Sequence, residues 1–378
     1  MTDTANEQIS RFESFLNSDP SNVALGRDLI ALYFQNGLFE KAIGTFQEAS
    51  SELKKDPMIA FNLGNCFLAT GQYSQAKECF QITYSVHPEE PAVTYNLAYS
   101  EFALKEFESA RDHLSTILES WTQVPNSLLV LARCLHHLGD LENALEYVDQ
   151  YLSEFDDAEA KGLKGLLLVD LGKDEAAIEL ISADEQSYLA TLESAIAYSS
   201  ATIALHDVES ASKATEKAIQ EYPEVGRLWS NQAQIDMLRL DLDTALVSLG
   251  NATKYMPNHI GTWHLLGWSL IMKDRHEEAM DAFLQAKELN RNFADTYGGI
   301  AVVDVHQNNL EEAKTNIKRA MGLDKDCIPG LYAQALVKER EGNKAEAEKI
   351  MQRVTSQDSF KNSQNYLPFV MQSLKGVK

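Results

Sequence analysis

Apolar and polar positions recur along the chain with a long period laid over the three-and-four spacing of helices. An alanine that follows a polar turn stands at Ala42, Ala76, Ala110 and Ala144, as in LFEKA, QYSQA, EFESA and DLENA, 34 residues apart each time. Ala177 comes one residue early, and Ala211, Ala245, Ala279, Ala313 and Ala347 restore the step of 34. Twelve residues before these alanines stand Ile30, Gly64, Ala98, Ala132, Gly165, Ser199, Ala233, Gly267, Ala301 and Ala335, small in nine of ten cases. Small residues let two helix axes approach closely. Four residues after each alanine comes a larger group such as Phe46, Phe80, Leu114, Leu249 or Phe283, which fills the next gap. Between small residue and alanine fall Gly37, Gly71, Gly139, Gly172, Asn308 and Gly342. These tolerate the left-handed conformation that ends a helix. The pattern predicts helix, turn, helix, ten times over.

Pro57, Pro88, Pro125, Pro223 and Pro257 sit between repeats, where a missing amide and a fixed φ stop one helix and start another. Residues 1–22 carry Phe12, Phe15 and Leu16 at helical spacing and are expected to form an N-terminal capping helix with these three facing inward. Residues 356–378, with Tyr366, Leu367, Phe369, Val370 and Leu374, are expected to cap the other end. A stack of repeats must cover its terminal apolar faces. Repeats 1–4 occupy 23–157 and repeats 6–10 occupy 193–355. The stretch between them, 158–192, is irregular: Lys164 stands where Leu29, Leu63, Leu97 and Leu131 stand earlier, and Asp184 where several repeats place alanine. A hinge is expected there.

A 34-residue helical pair with small, small and bulky residues in these places resembles the tetratricopeptide repeat. Segments 60–88 and 262–290 carry the likeness most clearly, and it extends over residues 22–355. The resemblance implies an all-α, right-handed superhelical solenoid of about ten repeats with N- and C-terminal capping helices. First helices would line its concave side and second helices would face outward. The pentatricopeptide repeat, which reads RNA, has a slightly longer period and needs basic surfaces.

Charge opposes that rival. With 56 acidic against 33 basic residues the net charge is −23, which would repel a phosphate backbone and an anionic lipid surface. Neither nucleic acid nor membrane insertion is expected: no stretch approaches the roughly 18 apolar residues of a span, and MTDTANEQIS lacks the basic and apolar regions of a secretory signal. A cytoplasmic location is expected. Seventeen acidic residues against three lysines lie between Asp140 and Ser212, so a basic partner could be steered to region 140–212.

Catalytic motifs are absent from the sequence, and no cofactor or metal is expected. The adjacent His136 and His137 diverge by about 100° on a helix and cannot share a metal without outside ligands. Cys66 and Cys134 hold the same place in their repeats and read as packed thiols. The chain is therefore expected to bind rather than catalyse, as a protein-protein interaction scaffold or adaptor for a peptide segment of a partner. Two alternatives are a client-specific chaperone of a bacterial secretion, pilus or envelope-assembly system, and a regulatory subunit of an enzyme carried on another chain.

From the concave-side geometry that the resemblance implies, the partner-binding groove is expected at Phe34, Phe61, Leu68, Tyr95, Tyr99 and Phe102. Aromatic rings give large contact area at small rotamer cost. A secondary groove is expected at Met237, His264, Trp268, Met272 and His306, with Ile271, Val302 and Val305 beside them. Trp229 and Trp263 stand where the family places its packing tryptophan and are expected in the core. Some family members grip a C-terminal carboxylate with cations from three first helices. Here Arg27, Asn65, Tyr95 and Tyr99 occupy that stretch, so no such clamp is expected, and Asn62 and Asn96 are given no ligand role.

Overall fold

A computed structural model describes residues 3–181 and 185–356, and among them there is no β-strand. The expected C-terminal cap lies outside the described residues. The chain divides into two compact units, residues 1–172 and residues from 173 onward, the boundary falling inside the stretch expected to be irregular.

In unit 1 a leading helix α1 (Asp3–Ser18) precedes the first helices α2 (Val23–Gln35), α5 (Pro57–Ala69), α7 (Pro91–Ala103), α9 (Asn126–Leu138) and α11 (Ala158–Asp170). Second helices are α3 (Phe39–Gln47), α6 (Tyr73–Tyr84), α8 (Phe107–Ser115) and α10 (Leu141–Leu152). A short α4 (Ser51–Lys55) follows α3, and a 3₁₀ turn, Leu118–Gln123, follows α8. Unit 2 opens with α12 (Asp174–Ile181) and α13 (Glu185–Tyr188). Its first helices are α14 (Leu192–Ala204), α16 (Gly226–Leu238), α18 (Ile260–Met272), α20 (Ala294–His306) and α22 (Ile328–Arg340). Its second helices are α15 (Val208–Glu221), α17 (Leu242–Tyr255), α19 (His276–Leu289), α21 (Leu310–Leu323) and α23 (Lys344–Ser356).

Each hairpin closes on a residue of positive φ. Gly37, Gly71, Gly139, Gly172, Asn308 and Gly342 take it as expected, and so do Lys105, His206, Leu240 and Asp274. These ten are spaced 34 apart except for one step of 33, from Gly139 to Gly172. That step contains α10 and its connector to α11, so the missing residue belongs to the turn after repeat 4. The first helix of repeat 5 has the usual 13 residues. The described part of its second helix is α12, Asp174–Ile181. Lys164 sits half-buried and pairs with Asp149 at 2.7 Å, which accommodates its charge.

The small residues serve close approach. A Cβ on Gly64 would come within 2.8 Å of the Phe80 ring, and one on Gly267 within 2.7 Å of Phe283. Side chains cap the first helices: Asn22 accepts from the Leu25 amide, Asp56 from Ile59 and Asp157 from Ala160, each satisfying an amide with no partner inside its helix. The leading helix α1 covers α2 with Ile9 and Leu16, both buried, and Glu13 accepts from the Tyr33 hydroxyl at 2.6 Å. Phe15 departs from the expectation: it is 47% exposed, with the Arg11 guanidinium 5.4 Å above its ring. Helix periodicity puts Phe12, Leu16 and Ile9 on the covered side and turns Phe15 away.

Candidate functional site

The six residues expected to form the first groove project from α2, α5 and α7. Phe34 is 37% exposed, and Phe61, Leu68, Tyr95, Tyr99 and Phe102 are half-buried. Neighbouring rings support them from one side. Phe34 leans on Phe39 at 5.8 Å, Phe61 meets Phe80 edge-on at 5.9 Å, and Tyr95 lies 6.2 Å from Tyr99. Phe102 sits 5.8 Å from Phe107 and 6.3 Å from His137. Met58, on α5, is 56% exposed. A row of apolar groups half open to solvent therefore runs across successive first helices of unit 1.

Polar groups thread between the rings. Asn96 on α7 donates to Asn65 on α5 at 2.9 Å, so both residues, assigned no role from sequence, join adjacent repeats. Farther along, His136 pairs with Asp170 at 2.7 Å and Arg133 approaches Glu159 at 3.8 Å. His137 stacks on Phe107 at 4.2 Å, and burial lowers its imidazole below the ordinary value. The two adjacent histidines thus have separate partners. Arg27 is held by both oxygens of Asp56, at 3.0 and 2.6 Å, and that hydrogen bond keeps the Asp56 carboxyl below its usual range. Its guanidinium is committed to bracing α2 against the start of α5.

Of the five residues expected in the secondary groove, Met237 and Trp268 lie in the core. Met237 is fully buried, Trp268 is 5% exposed, and Ile271, Val302 and Val305 are buried with them. Trp268 packs edge-on against Phe283 at 5.5 Å. His264 pairs with the Thr296 hydroxyl at 2.8 Å, and burial pushes its imidazole down to about 4. Met272 is half-buried against the same core, and His306 stacks on His276 at 4.7 Å. Met237 and Trp268 are therefore packing residues, whereas His264, Met272 and His306 are half-buried. Trp229 and Trp263 are half-buried, and each indole N–H donates across six residues to a turn carbonyl, of Pro223 at 2.8 Å and of Pro257 at 2.7 Å. Tyr297 does the same with its hydroxyl to the Arg291 carbonyl at 2.9 Å.

Cys66 and Cys134 are buried, and burial raises their thiols to about 11 and about 12, so both stay protonated near neutral pH. Among the described residues, no group of three or more His, Cys, Asp or Glu side chains is placed to hold a metal ion. None of the described helices is long and apolar enough to cross a membrane. In the acid-rich stretch, Lys161 and Lys164 are already engaged by Asp156 and Asp149.

Tetratricopeptide repeat models match residues 61–125, 107–159 and 260–293. No curated protein matches the sequence. Among solved structures, the human IFIT1 dimer with m7Gppp-AAAA aligns over 88% of this chain and 90% of its own, at 15% identity and a TM-score of 0.55. A tetratricopeptide repeat protein from Parabacteroides merdae aligns over 68% of this chain and 98% of its own, at 16% identity and a TM-score of 0.52. At such identities the likeness is one of fold. With the helical pair, the turn of positive φ and the 34-residue register all present, and the family models falling in both units, the chain belongs to the tetratricopeptide repeat family.

Proposed function

We propose that the chain is a non-catalytic scaffold whose unit 1 holds a segment of a partner protein against α2, α5, α7 and α9. Phe34, Phe61, Leu68, Tyr95, Tyr99 and Phe102 supply the anchors. One observation carries the reading: the Tyr95 and Tyr99 rings stand half open beside the Asn65–Asn96 amide pair. Rings with a supported back and an open front bury a partner's apolar side chains at little entropic cost, and the free capacity of the amides suits a peptide backbone. The acid-rich stretch 140–212 favours a basic partner, whose association would slow as salt is added.

Human IFIT1 has been solved with capped RNA. For this chain the net charge of −23 argues for a protein segment instead, since binding to RNA draws its free energy largely from lysine and arginine against phosphate.

The test is replacement of Tyr95, Tyr99 and Phe102 by alanine, followed by comparative affinity capture and thermal unfolding. Proteins recovered by the parent chain and lost by the variant, at unchanged melting temperature, support the groove. Equal recovery by both would remove it. A collapse of melting temperature, with each ring costing roughly 3–5 kcal/mol, would make these residues core.

A further inference from the structure

Four repeats share a polar tie that joins first helix to second between residues 12 apart. Tyr33 pairs with Thr45 at 3.3 Å and Glu101 with His113 at 2.8 Å. Ser248 donates to Asp236 at 3.1 Å, and Asn316 to Asp304 at 2.8 Å. Repeat 8, between two of these, has none. Its residues in the same register, 34 after Asp236 and Ser248 and 34 before Asp304 and Asn316, are Leu270 and Ala282.

With no polar tie and only a methyl group at Ala282, a hollow of about 290 Å³ remains between α17, α18 and α19. Leu270 and Ala282 are buried, while Leu246, Trp263 and Leu266 are half-buried with their open sides toward the hollow. The Trp263 N–H is already spent on the Pro257 carbonyl, so only the apolar face of the indole is on offer. The rim is polar. Arg275 is gripped by both oxygens of Glu278, at 2.6 and 2.5 Å, leaving the exposed Asp281 carboxylate as the rim's surplus charge, with Gln285 beside it.

We propose that this hollow is a second docking site, formed by α17, α18 and α19, for a partner segment that inserts one large apolar side chain beside a lysine or arginine. The volume suits a single leucine, phenylalanine or tryptophan side chain rather than a metabolite, which generally needs a larger cavity. An anchor of this kind, seated on an apolar floor and ringed by polar groups, is where interface free energy concentrates. Asp281 decides the sign of the neighbouring charge. The site is independent of the groove on α5 and α7, so the failure of either leaves the other standing.

A displayed library of random short peptides, selected on the full-length protein, supplies the probe. Selected sequences should share a bulky apolar residue close to Lys or Arg. Peptides whose binding is lost with Tyr99→Ala belong to the groove on α5 and α7 and are set aside; the affinity of the rest should fall about tenfold or more with Ala282→Phe, which fills the hollow, and also with Asp281→Lys. Asp281 is exposed, so its substitution keeps the proposal testable if the filled variant fails to fold. Remaining peptides that bind both variants as tightly as the parent would overturn the site, as would a library that yields no such peptide.

Discussion

The Asn96 side-chain amide donates to the Asn65 side-chain oxygen at 2.9 Å, tying α7 to α5 across 31 residues. Unit 2 repeats the device, with Asn231 on α16 donating to Ser200 on α14 at 3.0 Å, again 31 residues away. A polar clasp between neighbouring first helices fixes how one repeat is set on the next. Asn96→Ala is expected to cost about 1 kcal/mol by leaving Asn65 without its donor. The double variant with Asn65→Ala should cost clearly less than the two singles combined in urea unfolding, and strict additivity would disprove the clasp.

Two histidines should respond to pH with opposite sign. A hydrogen bond to the Glu101 carboxylate holds His113 above the ordinary imidazole value, so its contribution is complete below about pH 6.5 and is lost as pH rises through its folded value. Burial pushes His264 down to about 4, so the unfolded chain takes up the proton first. Its contribution is complete above about pH 6.5 and is lost as pH falls toward 4. Hydrogen exchange followed on acidification should show α18 and α20 losing protection in the parent and retaining more of it in His264→Phe. Identical profiles for the two proteins would refute the assignment.

Leu240 is 68% exposed and holds φ at 63°, a conformation that costs a side-chain-bearing residue on the order of 1 kcal/mol. Leu240→Gly should raise stability by up to about that amount. The mirror change, Gly139→Ala at φ 82°, should lower it by a similar amount. Thermal unfolding of the pair checks both signs.

Gly267→Ala places a methyl group 2.7 Å from the Phe283 ring, itself wedged against Gly299. Overpacking of about 1–3 kcal/mol should outweigh the helix propensity that alanine gains. Calorimetry showing a raised melting temperature would mean that the ring can shift.

The repeat register and the glycine turns are legible in the sequence because each answers a local steric demand. Lys105, His206, Leu240 and Asp274 adopt the same turn without announcing it, since the helices on either side impose the geometry whatever the residue. Tyr95, Tyr99 and Phe102 stand half open, whereas Met237 and Trp268, read onto an open face in the same way, lie in the core. Periodicity marks faces within one helix and says nothing of what covers them. Helix α20 is buried at every position from Thr296 to Val305, so no face of that stretch is left to the solvent. The hollow beside Ala282 escapes the sequence for a related reason: an alanine there is ordinary until Leu246, Trp263 and Leu266 are seen to leave space around it.

The most distant side-chain hydrogen bond described above, from His136 to Asp170, spans 34 residues. Bonds of such short reach fasten each hairpin to its neighbour and leave remote hairpins untied. Load applied along either unit would therefore peel hairpins away in succession, and the protein would lengthen under tension like a soft spring, in small reversible steps, instead of rupturing as a whole.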